Sequence, residues 1–394
     1  MSYERPLKSV LSALLSRRTP VIHVLIGPRQ AGKTTIARQI EHSAGIPVIY
    51  ATADSPIPLD AAWIETQWRR AVAAGTEAGV PVLLVLDEVQ KVRGWSEVLK
   101  FLWDGRGAGP EVRVLILGSS SLLMQEGLSE SLAGRFFLHR CTHWGYPECR
   151  DAFGWSLGQW IYFGGYPGGA SFAEDETSWK RYLADSLIET VLARDVIQMS
   201  RIAKPVLLRH LFALAATFPA QSVSYTKMLG QLQDAGNTTT LAHYLKLLES
   251  AFLASGLELF SQGQQRKRGS SPKLVLWNNA LVNALSTRSF ADALADTIWW
   301  GRLVENAVGA HLCNSLNSVE YTITYWREGD HEVDFVIARG RDVWAIEVKS
   351  GRSGKASGLA RFRLRYPEAR VLLVGGAGIP LEEFFTKDVA TWLV

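Results

Sequence analysis

The first third of the chain alternates apolar runs with segments of helical periodicity. Residues 21–26, 82–86 and 112–117 are short, mainly apolar runs in which β-branched residues recur, and His23 and Arg113 are their polar members. Such runs are typical of strands that are buried on both faces of a parallel sheet. Residues 35–40, just beyond the first run and the turn that follows it, have the pattern of a helix. This alternation predicts an α/β domain built on a parallel sheet.

The middle of the chain is predicted to be mainly helical. Residues 179–218 show helical apolar periodicity with few helix-breaking residues, and residues 225–229 and 238–250 predict two shorter helices. Two apolar runs follow at residues 253–260 and 273–277, and they can pair as a hairpin. Two helices joined by a turn and followed by a hairpin are the arrangement of a winged helix.

A basic tripeptide lies between the two strands of the predicted hairpin. Arg266, Lys267 and Arg268 would form the tip of a wing, where a winged helix meets DNA phosphates. The alternative is a helical packing module with a solvated charged loop. Winged helices also mediate contacts with proteins, so the sequence leaves the partner of this segment open.

A glycine-rich turn follows the first apolar run. Residues 27–35 read GPRQAGKTT, which has the spacing G-x-x-x-x-G-K-T of a Walker A phosphate-binding loop between a strand and a helix. Backbone N–H groups of such a loop face the phosphates, and the helix N-terminus adds its positive end. Lys33 is predicted to reach the β- and γ-phosphates, and Thr34 to ligate Mg²⁺. The predicted nucleotide-binding residues of the loop are Gly27, Pro28, Arg29, Gln30, Ala31, Gly32, Lys33, Thr34 and Thr35.

Two carboxylates end the second apolar run. Asp87 and Glu88 follow residues 82–86 in the pattern of a Walker B motif. We expect Asp87 to hold Mg²⁺ beside the nucleotide, and Glu88 to orient the attacking water as the catalytic base. An Asp-Glu pair after a strand is common, and the functional interpretation therefore depends on the phosphate-binding loop upstream.

Two further positions are candidates for contacts with the γ-phosphate. Ser119 follows the third apolar run, where a neighbouring parallel strand presents its end to the ligand, although it can equally cap the next helix. Arg135 is a candidate arginine finger that would neutralise charge on the transferring phosphoryl group. A solvated arginine is the alternative, and the sequence leaves open whether Arg135 acts in its own subunit or in a neighbour.

Several of these motifs together resemble a known family. The segments GPRQAGKTT, LDEVQKVRGW, LGSSSLLM and SLAGRF, followed by YFGGYPG at 162–168 and by Arg194-Asp195, occur in this order along the chain. They resemble a prokaryotic family of AAA-like ATPases that carry a C-terminal domain of unknown function with a restriction-endonuclease-like end. This resemblance implies that the nucleotide is ATP and that it is hydrolysed.

Two strands near the C-terminus carry acidic residues within apolar runs. Residues 332–337 and 344–349 read EVDFVI and WAIEVK. Glu332 and Asp334 stand on one face of the first strand, and Glu347 and Lys349 stand on one face of the second. A two-residue turn at 340–341 would set Asp334 opposite Glu347. Directly opposed carboxylates, with Cβ atoms about 5 Å apart, repel each other unless a cation lies between them. The pattern therefore predicts Mg²⁺ or Mn²⁺ at this place.

The same residues resemble the active site of the restriction-endonuclease-like nucleases. In that family two acids, here Asp334 and Glu347, hold the metal, and a lysine, here Lys349, helps to activate water. An acid on the preceding helix often joins them, and Glu305 stands where one is expected. The alternative is a hairpin with a salt-bridge cluster on a solvated face.

Length and composition complete the predicted organisation. At 394 residues the chain is too long for one ordinary core. We predict a multidomain α/β protein with an AAA-like P-loop ATPase domain at 1–150, a helical and winged-helix-like domain at 151–285, and a restriction-endonuclease-like domain at 286–394. The three cysteines suggest no disulfide framework. No uncharged run approaches the roughly 20 apolar residues that span a bilayer, so we expect a cytoplasmic protein without a membrane partner.

The sequence supports two functional hypotheses. The first is an ATPase that acts on duplex or branched DNA through a metal-dependent nuclease-like domain. The second is a regulatory nucleotide switch whose endonuclease-like domain only binds DNA or protein. The net charge of +4 is mild for this length and neither requires nor excludes nucleic acid. The sequence does not assign an oligomeric state.

Overall fold

The fold is taken from a computed structural model of the chain, which divides into two compact units. The first unit is Met1–Thr142 and the second is His143–Val394. The structure describes residues 3–17, 21–107, 109–118, 128, 131–197, 202–232, 237–261, 271–351 and 357–394. Ser119 and the basic tripeptide at 266–268 lie outside these residues, so the predictions made for them remain predictions.

The first unit is built on a parallel sheet of five strands. Its strand order is β2-β3-β4-β1-β5, and every neighbouring pair is parallel. Its strands are β1 (Ile22–Ile26), β2 (Val48–Thr52), β3 (Val82–Asp87), β4 (Val112–Gly118) and β5 (Phe136–Arg140). Its helices are α1 (Pro6–Leu15), α2 (Lys33–Ser43), α3 (Ala61–Ala78) and α4 (Trp95–Asp104), with a 3-10 turn at Val89–Lys91. The predicted parallel α/β domain is therefore confirmed.

The apolar runs of the first unit form its core. Strands β1 and β3 are buried along their whole length, as expected for strands that are covered on both faces. On one face, Leu11 and Leu15 of α1 belong to the same apolar cluster as Leu25, Leu83 and Leu115 of the sheet. This packing holds the carboxyl ends of β1, β3 and β4 side by side, so the loops that follow them meet at one edge.

The second unit begins with helices and continues into two sheets. Its helices are α5 (Tyr146–Phe153), α6 (Leu157–Phe163), α7 (Pro167–Ala170), α8 (Glu176–Arg181), α9 (Pro205–Thr217), α10 (Tyr225–Gln231), α11 (Thr238–Ser250), α12 (Asn279–Asn283), α13 (Phe290–Ala295), α14 (Thr297–Ser315), α15 (Ser357–Arg365) and α16 (Leu381–Thr386). π-Helical segments at Tyr182–Ile188 and Val191–Ile197 lie within the stretch 179–218 that is predicted to be helical. A 3-10 turn at Val389–Trp392 lies near the C-terminus.

Both hairpins predicted from the sequence are present in the second unit. A three-stranded sheet has the order β6-β8-β7, and a four-stranded sheet has the order β12-β11-β10-β9. The strands are β6 (Gln221–Ser222), β7 (Ala254–Leu257), β8 (Lys273–Leu276), β9 (Thr322–Glu328), β10 (His331–Arg339), β11 (Asp342–Lys349) and β12 (Arg370–Gly375). Strands β7 and β8 pair antiparallel, and so do β10 and β11.

The register of the second hairpin follows the turn at 340–341. Arg339 pairs with Asp342, and the ladder runs inward to Phe335 opposite Ile346. Asp334 is the next residue of β10, where the pairing with β9 is irregular, so its predicted place opposite Glu347 stays a prediction. The helix α14 crosses close to this hairpin, because a Cβ added at Gly309 would lie 2.8 Å from the Phe335 ring. A larger residue at 309 would push α14, and with it Glu305, away from the sheet.

Two further features concern the cysteines and the apolar character of the helices. Cys141, Cys149 and Cys313 are all buried and unbridged, as expected for a chain without a disulfide framework. In the part of the chain that the structure describes, no helix combines the length and the apolar character needed to cross a bilayer.

Candidate functional site

The phosphate-binding loop lies at the carboxyl end of β1, against the backbone that follows β5. A Cβ added at Gly27 would lie 1.9 Å from the Cys141 carbonyl oxygen, so only glycine fits there. Gly32 has a φ of 95°, a left-handed conformation that glycine adopts without strain, and α2 begins at the next residue. The loop therefore ends at a helix N-terminus, which is a typical place for an anion to bind.

Lys33 is folded back onto the loop that it follows. Its Nζ donates to the Gly27 and Pro28 carbonyl oxygens, each at 2.8 Å, and its side chain is buried. Gln30, Thr34 and Thr35 are exposed on the same loop, while Ala31 is buried and Arg29 is half-buried. Residues 27–35 thus form one loop and the start of α2. The Lys33 ammonium is bonded there to two neutral carbonyl oxygens, which the phosphate oxygens of a nucleotide can replace as its acceptors.

The Walker A and Walker B residues meet at the Thr34 hydroxyl. Thr34 Oγ1 donates to Asp87 Oδ2 at 2.8 Å, and Asp87 itself is buried. Among the described residues, the other carboxylate oxygen, Asp87 Oδ1, has no hydrogen-bond partner. A buried and unsatisfied carboxylate oxygen is costly, and a cation beside it removes that cost. Thr34 and Asp87 therefore fit a Mg²⁺ ion, whose chemistry would be to neutralise the charge of bound phosphates.

Tyr50 contacts Asp87, and the sequence motifs do not predict this contact. Its hydroxyl donates to the same oxygen, Asp87 Oδ2, at 2.5 Å, and the Arg38 guanidinium carbon stacks 3.4 Å from the centre of its ring. Burial raises the pKa of Tyr50, and the hydrogen bond to Asp87 raises it further. The phenol is thus a neutral donor at neutral pH, and it fixes the orientation of the Asp87 carboxylate.

Glu88 stands next to Asp87 in an unusual backbone conformation. Its φ is 55°, in the left-handed region that non-glycine residues rarely adopt. Its side chain accepts a hydrogen bond from Gln90 Nε2 at 2.8 Å, and its backbone N–H donates to the Leu117 carbonyl oxygen of β4 at 3.0 Å. Such strain is found at functional sites, where it aims a side chain. The role of Glu88 as a base stays a prediction.

Arg135 lies at the opposite end of the sheet from the phosphate-binding loop. Its carbonyl oxygen accepts from the Ile22 N–H, at the start of β1, whereas the loop follows Ile26 at the end of that strand. A strand of this length spans roughly 15 Å. The Arg135 guanidinium forms a two-pronged pair with Asp104, at 2.8 and 2.9 Å. A role as arginine finger within its own chain is therefore incompatible with the fold, and a role in a neighbouring subunit stays a prediction.

The predicted nuclease residues come together at one end of the second unit. Asp334 Oδ2 accepts from the Val348 backbone N–H at 2.8 Å, which ties β10 to β11 beside the acids. Lys349 Nζ donates to Glu347 Oε1 at 2.6 Å. Burial raises the pKa of the Glu347 carboxyl, Asp334 adds to the shift, and Lys349 opposes it. Among the described groups, the second oxygen, Glu347 Oε2, has no hydrogen-bond partner.

A lysine that the sequence did not single out lies among these acids. Lys273 begins β8 and is fully buried, with its Nζ 2.5 Å from Glu305 Oε1. The same ammonium lies 3.3 Å from Glu332 Oε1 and 3.5 Å from Asp334 Oδ1. Burial lowers the pKa of Lys273, but the charges of the three carboxylates outweigh burial and raise it. Lys273 is therefore a protonated cation inside the acidic cluster.

The acidic cluster does not fit the metal ion predicted for it. Its proposed ligands Glu305, Asp334 and Glu347 are already bonded to Lys273, to the Val348 N–H and to Lys349. Within the described ranges, no group of three or more His, Cys, Asp or Glu side chains is placed to hold a metal. The structure thus supplies the Lys273 ammonium where the sequence predicts Mg²⁺ or Mn²⁺.

Known proteins similar to this chain have names that describe no activity. A protein of Mycobacterium tuberculosis and one of Mycobacterium bovis are each 29% identical to it over 342 residues. The similarity covers 84% of this chain and 70% of each relative, and both relatives are named as uncharacterized.

Three families match successive parts of the chain. Residues 300–385 match a domain of unknown function, DUF4143, and residues 154–292 match another, DUF8612. Residues 19–148 match a family described as AAA domain. This last similarity covers the Walker A and Walker B residues, and it supports an AAA-like P-loop ATPase in the N-terminal part of the chain.

Proposed function

We propose that the chain is a nucleotide-switched ATPase. In this proposal the first unit binds and hydrolyses Mg·ATP, and the second unit docks on DNA or protein according to the nucleotide state. The observation that carries the first half is the contact between Thr34 Oγ1 and Asp87 Oδ2, 2.8 Å apart at the N-terminus of α2. It joins the two residues that would hold Mg²⁺ and leaves Asp87 Oδ1 available, as far as the described residues go.

The remaining residues of the first unit have consistent roles in this proposal. Lys33 would exchange the Gly27 and Pro28 carbonyl oxygens for the β- and γ-phosphates, because a charged acceptor binds an ammonium more strongly than a neutral one. Glu88 would orient the attacking water, with Gln90 holding one of its oxygens. ATP rather than another nucleotide is suggested by the similarity to AAA domains.

The division into three domains remains part of the proposal. Helices α10 and α11 followed by the β7–β8 hairpin support a winged-helix-like middle at 151–285. Strands β9 to β12 with α14 and α15 support a restriction-endonuclease-like domain at 286–394. The acids on β10 and β11 are what such a domain would carry.

Lys273 favours a second unit that binds DNA or protein without cleaving DNA. A nuclease of this class needs a divalent cation between its acids, and the Lys273 ammonium already neutralises Glu305, Glu332 and Asp334. Metal-dependent cleavage of DNA is the second candidate function. It is favoured by the hydrogen bond that joins Asp334 to the Val348 N–H, next to Glu347, and by the contact of Lys349 with Glu347.

The test compares DNA affinity in two nucleotide states. Glu88→Gln should bind Mg·ATP without hydrolysing it, and so trap the ATP state. We expect the affinity for duplex or branched DNA to differ at least about fivefold between this state and the ADP state, as is typical of coupled sites. Equal affinities for DNA and for captured protein partners in both states would contradict a switch, and absence of ATP turnover by the wild type would contradict the ATPase.

A further inference from the structure

The Lys273 side chain is enclosed by acids from two directions. Glu305 approaches it from α14, while Glu332 and Asp334 approach from β10. The ammonium also lies 5.1 Å from the centre of the Phe335 ring, whose face attracts cations. Lysines mostly lie on the protein surface in contact with water. Lys273 is fully buried and makes all of these contacts, so it acts as a positive charge within the acidic cluster.

The backbone that carries Lys273 is fixed from several sides. Strand β8 is the central strand of its sheet, paired with β6 on one edge and with β7 on the other. The fully buried Asn306 side chain exchanges two hydrogen bonds, each of 3.0 Å, with the Leu276 backbone of the same strand. Because Asn306 follows Glu305 on α14, this contact also sets the spacing between Glu305 and Lys273. The Cα of Lys273 therefore has a fixed place beside the acids.

The charge balance shows what Lys273 does for the cluster. Four carboxyl groups, those of Glu305, Glu332, Asp334 and Glu347, face two ammonium groups, those of Lys273 and Lys349. Burial raises the pKa of the Glu305 carboxyl, and the charge of Lys273 opposes this shift. A divalent ion bound to the oxygens of Glu305 and Asp334 at about 2.1 Å would lie beside the Lys273 ammonium. Two cations this close repel each other in a buried site, so ion and ammonium compete for the same oxygens.

We propose that Lys273 is the resident cation of this site and excludes Mg²⁺ and Mn²⁺ from it. The carboxylates of Glu305, Asp334 and Glu347 are not placed to hold a metal in this structure, and they would close around a divalent, oxygen-seeking cation only when the lysine charge is removed. Glu347 Oε2, without a described partner inside a side chain more than nine-tenths buried, is an oxygen available to such an ion. This inference rests on the proposed use of the second unit as a docking module that does not cut.

The experiment measures Mn²⁺ binding to the full chain without nucleotide. The wild type is compared with Asp334→Asn, Lys273→Met and the double variant Lys273→Met/Asp334→Asn, by counting bound Mn²⁺ with electron paramagnetic resonance. We expect the wild type and Asp334→Asn to bind equally, since Lys273 fills the site in both. Lys273→Met should bind one additional Mn²⁺, and the double variant should lose it.

Thermal unfolding provides a second readout. In metal-free buffer the melting temperature of Lys273→Met should fall by roughly 5 °C or more, because buried carboxylates lose their partner. Mn²⁺ should restore part of this loss. Lys246→Met is the matched control: it makes the same chemical change at an exposed pair with Glu249 on α11, and it should leave both readouts unchanged.

Two results would overturn the inference. The first is a Mn²⁺ ion that the wild type binds and that Asp334→Asn does not bind. This comparison does not depend on whether a Lys273 variant folds. The second is a folded Lys273→Met that gains no Mn²⁺. ATP turnover by the wild type, measured on the same preparation, tests the proposed function separately, so the failure of one is distinguishable from the failure of the other.

Discussion

Removal of the Tyr50 hydroxyl is the most selective perturbation of the nucleotide site. Tyr50→Phe deletes the donor that lies 2.5 Å from Asp87 Oδ2 and keeps the aromatic ring under Arg38. Thr34 remains as the second donor to the same oxygen. The substitution therefore leaves every predicted ligand of Mg·ATP in place and changes only how firmly the Asp87 carboxylate is oriented.

The size of the effect follows from the type of hydrogen bond. A hydrogen bond to a charged group contributes about 1.5–3 kcal/mol, and the lower end applies because Tyr50 is only half-buried. About 1.5 kcal/mol corresponds to roughly a tenfold change in rate. We expect kcat/KM for Mg·ATP to fall about tenfold in Tyr50→Phe, with a higher Mg²⁺ concentration needed for half-maximal activity.

The assay is steady-state ATP hydrolysis across a range of Mg²⁺ concentrations. Tyr162→Phe is the matched control, since it removes a hydroxyl that donates to the Arg288 carbonyl oxygen at 2.7 Å in the second unit. It should leave ATP hydrolysis at the wild-type level. A folded Tyr50→Phe protein whose kcat/KM stays within about twofold of the wild type would refute the assigned orienting role of Tyr50.

Three further predictions concern the first unit. Glu88→Gln should retain ATP binding and lose roughly 10²–10⁴-fold in the single-turnover rate; an unchanged rate would remove Glu88 from the mechanism. Arg135→Ala should leave the ATP affinity of the isolated chain unchanged, because its guanidinium is held by Asp104 at the far end of β1; a loss of affinity at low protein concentration would contradict this placement. Burial lowers the pKa of His139 to about 4, and the stacked His23 adds to the shift. Since an unfolded histidine titrates near pH 6.5, the unfolded chain binds the additional proton, and the free energy of unfolding should fall as pH drops from about 6.5 towards 4. Urea titrations at several pH values should show a flatter dependence in His139→Gln, and an unchanged slope would contradict it.

Local sequence signals were sufficient for the phosphate-binding loop and for the C-terminal hairpin. The loop is a contiguous motif, and its own turn requires a glycine at Gly32, which has a φ of 95° directly before α2. The hairpin register follows from a two-residue turn, which fixes every pair along the strands, including Arg339 with Asp342. In both places the determinants lie within a few residues of one another.

Contacts between distant segments were not predictable in the same way. Lys273 precedes Asp334 by 61 residues, and the sequence presents it only as the first residue of an apolar strand. A charged residue at the head of the run KLVL was the available signal, since a lysine buried there must have acidic partners. The motif alone makes Arg135 a candidate arginine finger, whereas its distance from the phosphate-binding loop depends on the direction of β5.

The measurement that tests the account most directly combines two activities of one preparation. ATP turnover is measured beside Mg²⁺- and Mn²⁺-dependent cleavage of plasmid and branched DNA, for the wild type, Lys33→Ala and Asp334→Ala. The account predicts ATP turnover that Lys33→Ala abolishes, and no DNA cleavage that depends on Asp334. Cleavage by the wild type that disappears in Asp334→Ala would contradict it and would establish the metal-dependent nuclease instead.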